Sequence, residues 1–225
     1  MSLKGKFAIW LSTKFFTKKG VVLCKTVADK TRKDFVYKDA DYVRISSLEL
    51  VSSEIYENNV NGNVAELGVF EGNFAQYINV AFPDKKLYLF DTFKGFDDND
   101  IENEKRMRGG GVDYRIYPHT NIDIVLKKMK YKENCVIVKG YFPETVKDLE
   151  DTFAFVSIDA DLFAPIYSGL TYFYPRLERG GYIFIHDYGT IRYQGTKMAV
   201  KKYCSENNIS YFPLTDYAVS AVISK

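Results

Sequence analysis

The stretch VAELGVFEGNFAQY, residues 64–77, sets a carboxylate, Glu66, just ahead of two glycines, Gly68 and Gly72. An apolar run precedes them and a helical pattern follows. A strand, a glycine turn and a helix in that order form the usual seat for a nucleotide-like cofactor. Further polar groups close later apolar runs: Asp91, then Asp159 and Asp161, then His186 and Asp187. Such carboxylates can cap helices, hold cations or move protons.

The turn narrows the choice of ligand. A dinucleotide site needs G-x-G-x-x-G, so that backbone N–H groups reach a pyrophosphate at a helix N-terminus. Here the turn reads Gly68-Val69-Phe70-Glu71-Gly72 and lacks the middle glycine. Glu71 within it would repel a phosphate by about 4 kcal/mol at about 4 Å and an effective dielectric of about 20. The chain has no G-x-x-x-x-G-K-S/T loop for a triphosphate. Glu66 instead suits a ligand ammonium. Asp91 lies about 25 residues on, placed to accept from both hydroxyls of a ribose. An amino-acid ammonium plus a ribose describes S-adenosylmethionine.

Alternating elements must position these groups. Candidate strands are 63–67, 86–90, 135–138, 154–158 and 181–185, with helical patterns at 72–82, 121–130, 144–151, 165–177 and about 195–207. Pro143 and Pro165 mark helix starts, and Gly180-Gly181 leads into the fifth strand. ISYFPL and YAVSAVISK then read as a closing antiparallel pair. Alternation of this kind predicts an open α/β fold, a largely parallel sheet with helices on both faces. Its C-terminal strand ends share one edge, where ligands bind. Four of the five ends carry an acid, which helix capping alone explains poorly.

The whole chain fits a single domain of 225 residues, 46% hydrophobic and 27% charged. A net charge of +2 gives no field that would select nucleic acid. Cys24, Cys135 and Cys204 lack CxxC spacing and read as reduced thiols of a cytoplasmic protein. No apolar run reaches transmembrane length, and lysines interrupt and flank the short FAIWLS. Phe7, Trp10, Leu11 and Phe15 share a helical face. Packing on the domain or on a second copy, as a homodimer, is the expectation; weak peripheral contact with a membrane surface is the alternative.

From about residue 44 to 203 the sequence resembles the macrocin O-methyltransferase family, which methylates sugar hydroxyls on macrolides and related acceptors. The resemblance rests on ELGVFEGNFA, FDTFKGF, VKGYFPET, SIDADLFAPIYSGLTYFYPRLERGGYIFIHDYG and GTKMAV, weak singly and specific in this order. It implies a Rossmann-like class I methyltransferase fold, a mostly parallel seven-stranded sheet with an antiparallel C-terminal pair. S-adenosylmethionine as donor, usually Mg²⁺, and a sugar or other small-molecule acceptor are implied with it. By position, Glu66, Gly68, Val69, Phe70 and Gly72 would form the methionine-side loop. Asp91 would hold the ribose with Thr92 and Phe93 beside it, and Gly140, Tyr141 and Phe142 would face the adenine. Asp159 would border the cofactor, and Asp159, His186 and Asp187 match the family's metal-binding positions.

Methyl transfer from a sulfonium is an in-line displacement, so positioning in a dry site does much of the work. A sugar hydroxyl is weakly acidic, which a Lewis-acidic metal and a nearby base would remedy. Two departures matter. The family usually shows two acids where this chain has His186-Asp187; the mixed donor set shifts the expectation from Mg²⁺ toward Mn²⁺ or another transition ion. His186 is expected as third ligand, with general base as its alternative role. Catechol-type metal methyltransferases place a lysine soon after the fourth-strand acid, whereas Leu162 and Phe163 follow Asp161 here.

Asp161 is expected to cap the helix near Pro165 or to reach the metal through water. His119, in RIYPHTN, is a further catalytic candidate, with Thr120 or Asn121 beside it as a helix cap. The connection 97–118, with glycines at 109–111, is long enough to serve as a lid. Residues 1–45 are read as a helical N-terminal segment on the acceptor or partner side, and 46–225 as the catalytic domain. Two rivals remain: a nucleotide-sugar glycosyltransferase sharing one Mn²⁺ between Asp159 and Asp161, and a non-catalytic cofactor-binding module.

Overall fold

The computed structural model describes residues 3–16, 41–108, 120–191 and 194–225. The chain forms two compact units, Met1–Lys33 and Asp34–Lys225. In the first, helix α1 (Leu3–Leu11) runs into a π-helical turn, Ser12–Phe16. Phe7 stacks on Trp10 at 5.9 Å between ring centroids, and Lys14 Nζ lies 5.0 Å over the indole. No helix among the described residues is long and apolar enough to cross a membrane.

The second unit opens with α2 (Tyr42–Glu57), which runs through the boundary at 45/46 expected from the sequence. It then alternates: β1 (Asn63–Leu67), α3 (Ala75–Ala81), β2 (Leu87–Asp91), α4 (Asp98–Arg108), α5 (Ile122–Lys128), β3 (Cys135–Lys139) and β4 (Phe153–Ile158). After these come α6 (Phe163–Arg176), β5 (Leu177–Ile185), α7 (Gln194–Asn207), β6 (Phe212–Pro213) and β7 (Ala221–Ser224). The seven strands lie in the order β3-β2-β1-β4-β5-β7-β6. β1 pairs in parallel with β2 and β4, while β7 runs antiparallel between β5 and β6. The class I methyltransferase topology and the antiparallel closing pair are therefore as expected.

Helices cover both faces. Ile166, Leu170 and Phe173 of α6 pack with Val200 of α7 on one side; Ile45 and Leu48 of α2, Ile78 of α3 and Val125 of α5 pack on the other. β4 is buried along its whole length and β1 from Val64 onward, as parallel strands covered on both faces must be. The chain order reverses between these two, which opens a crevice at their C-terminal ends.

Two elements differ from the sequence reading. The helix expected at 144–151 is a single 3-10 turn, Glu144–Val146, with only Val146 buried. One buried side chain anchors too little for a longer helix. The first half of the expected lid is α4, which sequence periodicity missed because polar groups fix it. Ile101 is buried, but so are Asp100 and Glu104. Glu104 Oε2 accepts from the Phe163 N–H and Oε1 from the Gly195 N–H, each at 3.0 Å, satisfying free donors at the starts of α6 and α7. Glycines 109–111 and His119 lie outside the described residues. Asn121, beside that histidine, caps α5 by accepting from the Asp123 N–H at 2.8 Å.

Candidate active site

The glycine turn after β1 passes flush against the end of β4. Gly68 sits at φ +86°, and a Cβ there would lie 2.1 Å from the Asp159 carbonyl oxygen, so no other residue fits. Asp91, at the end of β2, holds the turn in place. Its Oδ2 accepts from the Val69 and Phe70 N–H groups, each at 2.8 Å, and its Oδ1 accepts from the Phe93 N–H at 2.7 Å. A carboxylate offers about four lone-pair sites, so these three bonds leave about one uncommitted. The bond to Phe70 offsets its left-handed φ of 50°. Thr92 Oγ1 donates to the Gly95 carbonyl at 2.6 Å and shapes the next turn.

A cavity of about 340 Å³ occupies the crevice. Glu66, Gly68, Val69 and Phe70 line it beside Asp91 and Thr92; Gly140, Tyr141 and Phe142 border it, and Asp159, His186 and Asp187 complete the wall. Two predicted cofactor residues stay behind this surface. Phe93 is buried in the core on the α2 side, and a Cβ on Gly72 would meet Val125 and Met129 at 3.0 and 3.2 Å. Both shape the loop from outside the cavity. Glu71 also faces away, with Oε2 3.7 Å from Lys128 Nζ, so its repulsion of a phosphate carries no weight. On the far side, the Tyr141 hydroxyl donates to Asp100 Oδ1 at 2.9 Å and ties α4 to the cavity.

The start of α2 supplies groups the sequence reading missed. Arg44 Nη1 donates to Asp159 Oδ2 and Nη2 to Ser157 Oγ, both at 3.0 Å, while the guanidinium lies 3.7 Å over the Phe74 ring. Asp41 Oδ2 approaches His186 Nε2 at 3.8 Å. The family resemblance begins near Arg44, but no motif there marks it.

Charge is distributed unevenly over these groups. Burial pushes the Glu66 carboxyl well above the usual carboxylate range, and nearby Arg44 offsets this only in part. Asp159 suffers burial too, but His186 and Arg44 override it and hold that carboxyl well below its usual range. Burial alone would lower His186; Asp159 and the hydrogen bonds push it up to about 10. Asp161 is raised well above its ordinary value by burial and by Asp159 and Asp187. It does not cap α6, whose N-cap is Leu162 with no side-chain bond.

A divalent ion fits one of two groupings. Asp159, His186 and Asp187 offer donor atoms within 4.8 Å of one another, as do Asp41, His186 and Asp216. Asp216 is committed, since it accepts from both the N–H and the hydroxyl of Ser220. In the first group, His186 Nδ1 lies 3.1 Å from Asp159 Oδ1 and 3.1 Å from Asp187 Oδ2. Neighbouring ligands of an octahedral ion bound at about 2.1 Å stand about 3 Å apart, so this donor set fits. Arg44 on the other Asp159 oxygen is the kind of outer partner that steadies a ligating carboxylate.

Residues 28–224 match the macrocin-O-methyltransferase (TylF) family. Demethyldecarbamoylnovobiocin O-methyltransferase of Streptomyces niveus is 23% identical over 156 residues, 64% of this chain and 60% of that relative, so under two thirds of its length is spanned. Mycinamicin III 3''-O-methyltransferase of Micromonospora griseorubida is 23% identical over 213 residues, 75% of this chain and 84% of its own. Among solved structures, the O-methyltransferase NovP superposes with a TM-score of 0.68 at 20% identity, covering 82% of this chain and 80% of that one. Neither the glycosyltransferase reading nor the non-catalytic one finds support among these matches. With 197 of its residues (28 through 224) matched in sequence, the chain belongs to the macrocin-O-methyltransferase family.

Proposed function

We propose that this chain transfers the methyl group of S-adenosylmethionine to a hydroxyl of a sugar or glycosylated small molecule, at the edge where β1, β4 and β5 end. One observation carries the reading. Glu66 is a buried carboxyl on the cavity wall whose Oε2 has no hydrogen-bond partner among the described residues. Such a group is costly unless a ligand brings it a donor, and an amino-acid ammonium does so.

S-adenosylmethionine supplies an electrophilic methyl group beside a sulfonium charge that vanishes on transfer. Glu66 takes its ammonium, the turn Gly68–Phe70 follows its methionine end, and Asp91 accepts from one ribose hydroxyl. Gly140, Tyr141 and Phe142 face the base. Asp159, His186 and Asp187 would hold Mn²⁺ or Mg²⁺, which supplies Lewis acidity toward an acceptor hydroxyl. We assign His186 as a ligand and not a free base, because Nδ1 stands between the Asp159 and Asp187 oxygens, where a divalent ion would take the place of the proton they stabilise. The buried walls exclude water, and the fixed carboxylates orient the acceptor against the methyl group.

Calorimetric titration of the metal-stripped protein with S-adenosylhomocysteine tests the donor, and repetition with Mn²⁺ or Mg²⁺ tests the ion. Saturable binding supports the reading, and its absence under all conditions removes it. Activity indifferent to chelator, in protein with no bound divalent ion, would remove the metal alone.

A further inference from the structure

Arg44 and Glu66 are both buried on the cavity wall, 4% and 1% exposed. Each carries an atom that nothing among the described residues satisfies, Nε of Arg44 and Oε2 of Glu66. Their charges interact, yet no hydrogen bond joins them. Buried opposite charges normally close into a bidentate pair, since separation leaves both desolvated.

The fold holds them apart. Arg44 is pinned by Asp159, by Ser157 and by the face of Phe74. Glu66 is locked in the register of β1, opposite that same Ser157 on β4. A guanidinium has five N–H groups, and two of Arg44's are committed to these partners. An unused donor and an unused acceptor of opposite charge, fixed on one wall, complement the two ends of an α-amino acid.

We propose that Arg44 and Glu66 together cradle the α-amino-acid end of the methyl donor, Arg44 taking its carboxylate while Glu66 takes its ammonium. The cradle rests on the methyltransferase reading and adds a residue from α2, outside the strand-end motifs. It gives Ser157, a hydroxyl near the C-terminal end of a buried strand, a purpose: it aims the guanidinium. It also links the donor to Asp159, because one guanidinium serves both carboxylates.

The test compares three ligands by calorimetry on the full chain. S-adenosylhomocysteine carries both charged ends, decarboxylated S-adenosylmethionine only the ammonium, and 5′-methylthioadenosine neither. Wild-type protein should prefer S-adenosylhomocysteine over the decarboxylated ligand by at least about tenfold, the loss of a charge-assisted hydrogen bond. Arg44→Met should abolish that preference and leave 5′-methylthioadenosine binding intact, which also shows that the variant is folded. Arg44→Lys, which keeps the charge, should restore part of the preference. Glu66→Gln should weaken both ammonium-bearing ligands and spare 5′-methylthioadenosine. Equal wild-type affinity for S-adenosylhomocysteine and its decarboxylated counterpart would overturn the cradle alone. So would an Arg44→Met loss shared equally by all three ligands, the mark of a structural role. Failure of the wild type to bind any of them would overturn the donor assignment and the cradle with it.

Discussion

Glu66 and Asp159 close two neighbouring strands and face one cavity, and burial pushes both carboxyls upward. Their outcomes are opposite. Arg44 and His186 both hydrogen-bond Asp159 and hold it ionised, whereas Glu66 feels only the field of Arg44 and stays raised. Desolvation is common to the pair, so the difference lies in the cations that the fold places beside each. An acid already furnished with cations belongs to the resident machinery. An acid left short of one is completed by whatever enters the cavity.

Removing the furnished acid should do the most damage. Asp159→Asn leaves Arg44 and His186 facing a neutral amide. Methyl transfer should fall about 1,000-fold, and the melting temperature by about 6–15 °C, as for a buried pair broken from one side. An unaltered melting temperature would erase the distinction between the two acids.

Glu66→Gln should split binding from stability. S-adenosylhomocysteine affinity should drop about 100-fold, while the ligand-free protein melts about 2–4 °C higher near pH 8. Because the folded-state pKa of Glu66 is raised, its stabilising contribution is full below the unfolded value and is lost as pH rises through the folded one. The advantage of glutamine should therefore grow with pH and vanish near pH 4. Wild-type affinity for S-adenosylhomocysteine should climb with pH until Glu66 no longer has a proton to lose, and the variant should titrate flat. Thermal melts and calorimetry across pH decide it; parallel behaviour of both proteins would contradict the comparison.

Smaller effects sharpen the boundary of the site. Asp91→Asn replaces one accepting oxygen with a donor, against two turns that together present three N–H groups. Affinity for S-adenosylhomocysteine should fall about tenfold. Glu71→Gln, on the exposed side of the same loop, should change that affinity less than about twofold. A larger loss there would mean that the loop's outer acid also senses the ligand.

Much of this was readable in the residues. Apolar runs ending in acids located β1, β2 and β4 to within a residue, because buried parallel strands tolerate little else. The glycine turn lay at the end of the first such run, and the grouping of Asp159, His186 and Asp187 came from the family resemblance. Arg44 and α2 escaped because the buried face of that helix mixes Ile45, Leu48 and Ile55 with Arg44, Ser46, Glu49 and Ser52, which blurs any apolar stripe. The hold of Asp91 on the neighbouring backbone escaped for another reason. A strand-end acid looks the same in sequence whether it faces a ribose or the backbone of the next turn.

Glu104 bears on how such an enzyme can be re-specified. One carboxylate fastens α4 to the first turns of both α6 and α7, and α4 in turn presents Asp100 to Tyr141. Exchanging the whole 97–118 connection between relatives would pull out that fastening and unseat two helices at once. Chimeras joined after Arg108 keep the rivet and vary only what lies beyond it.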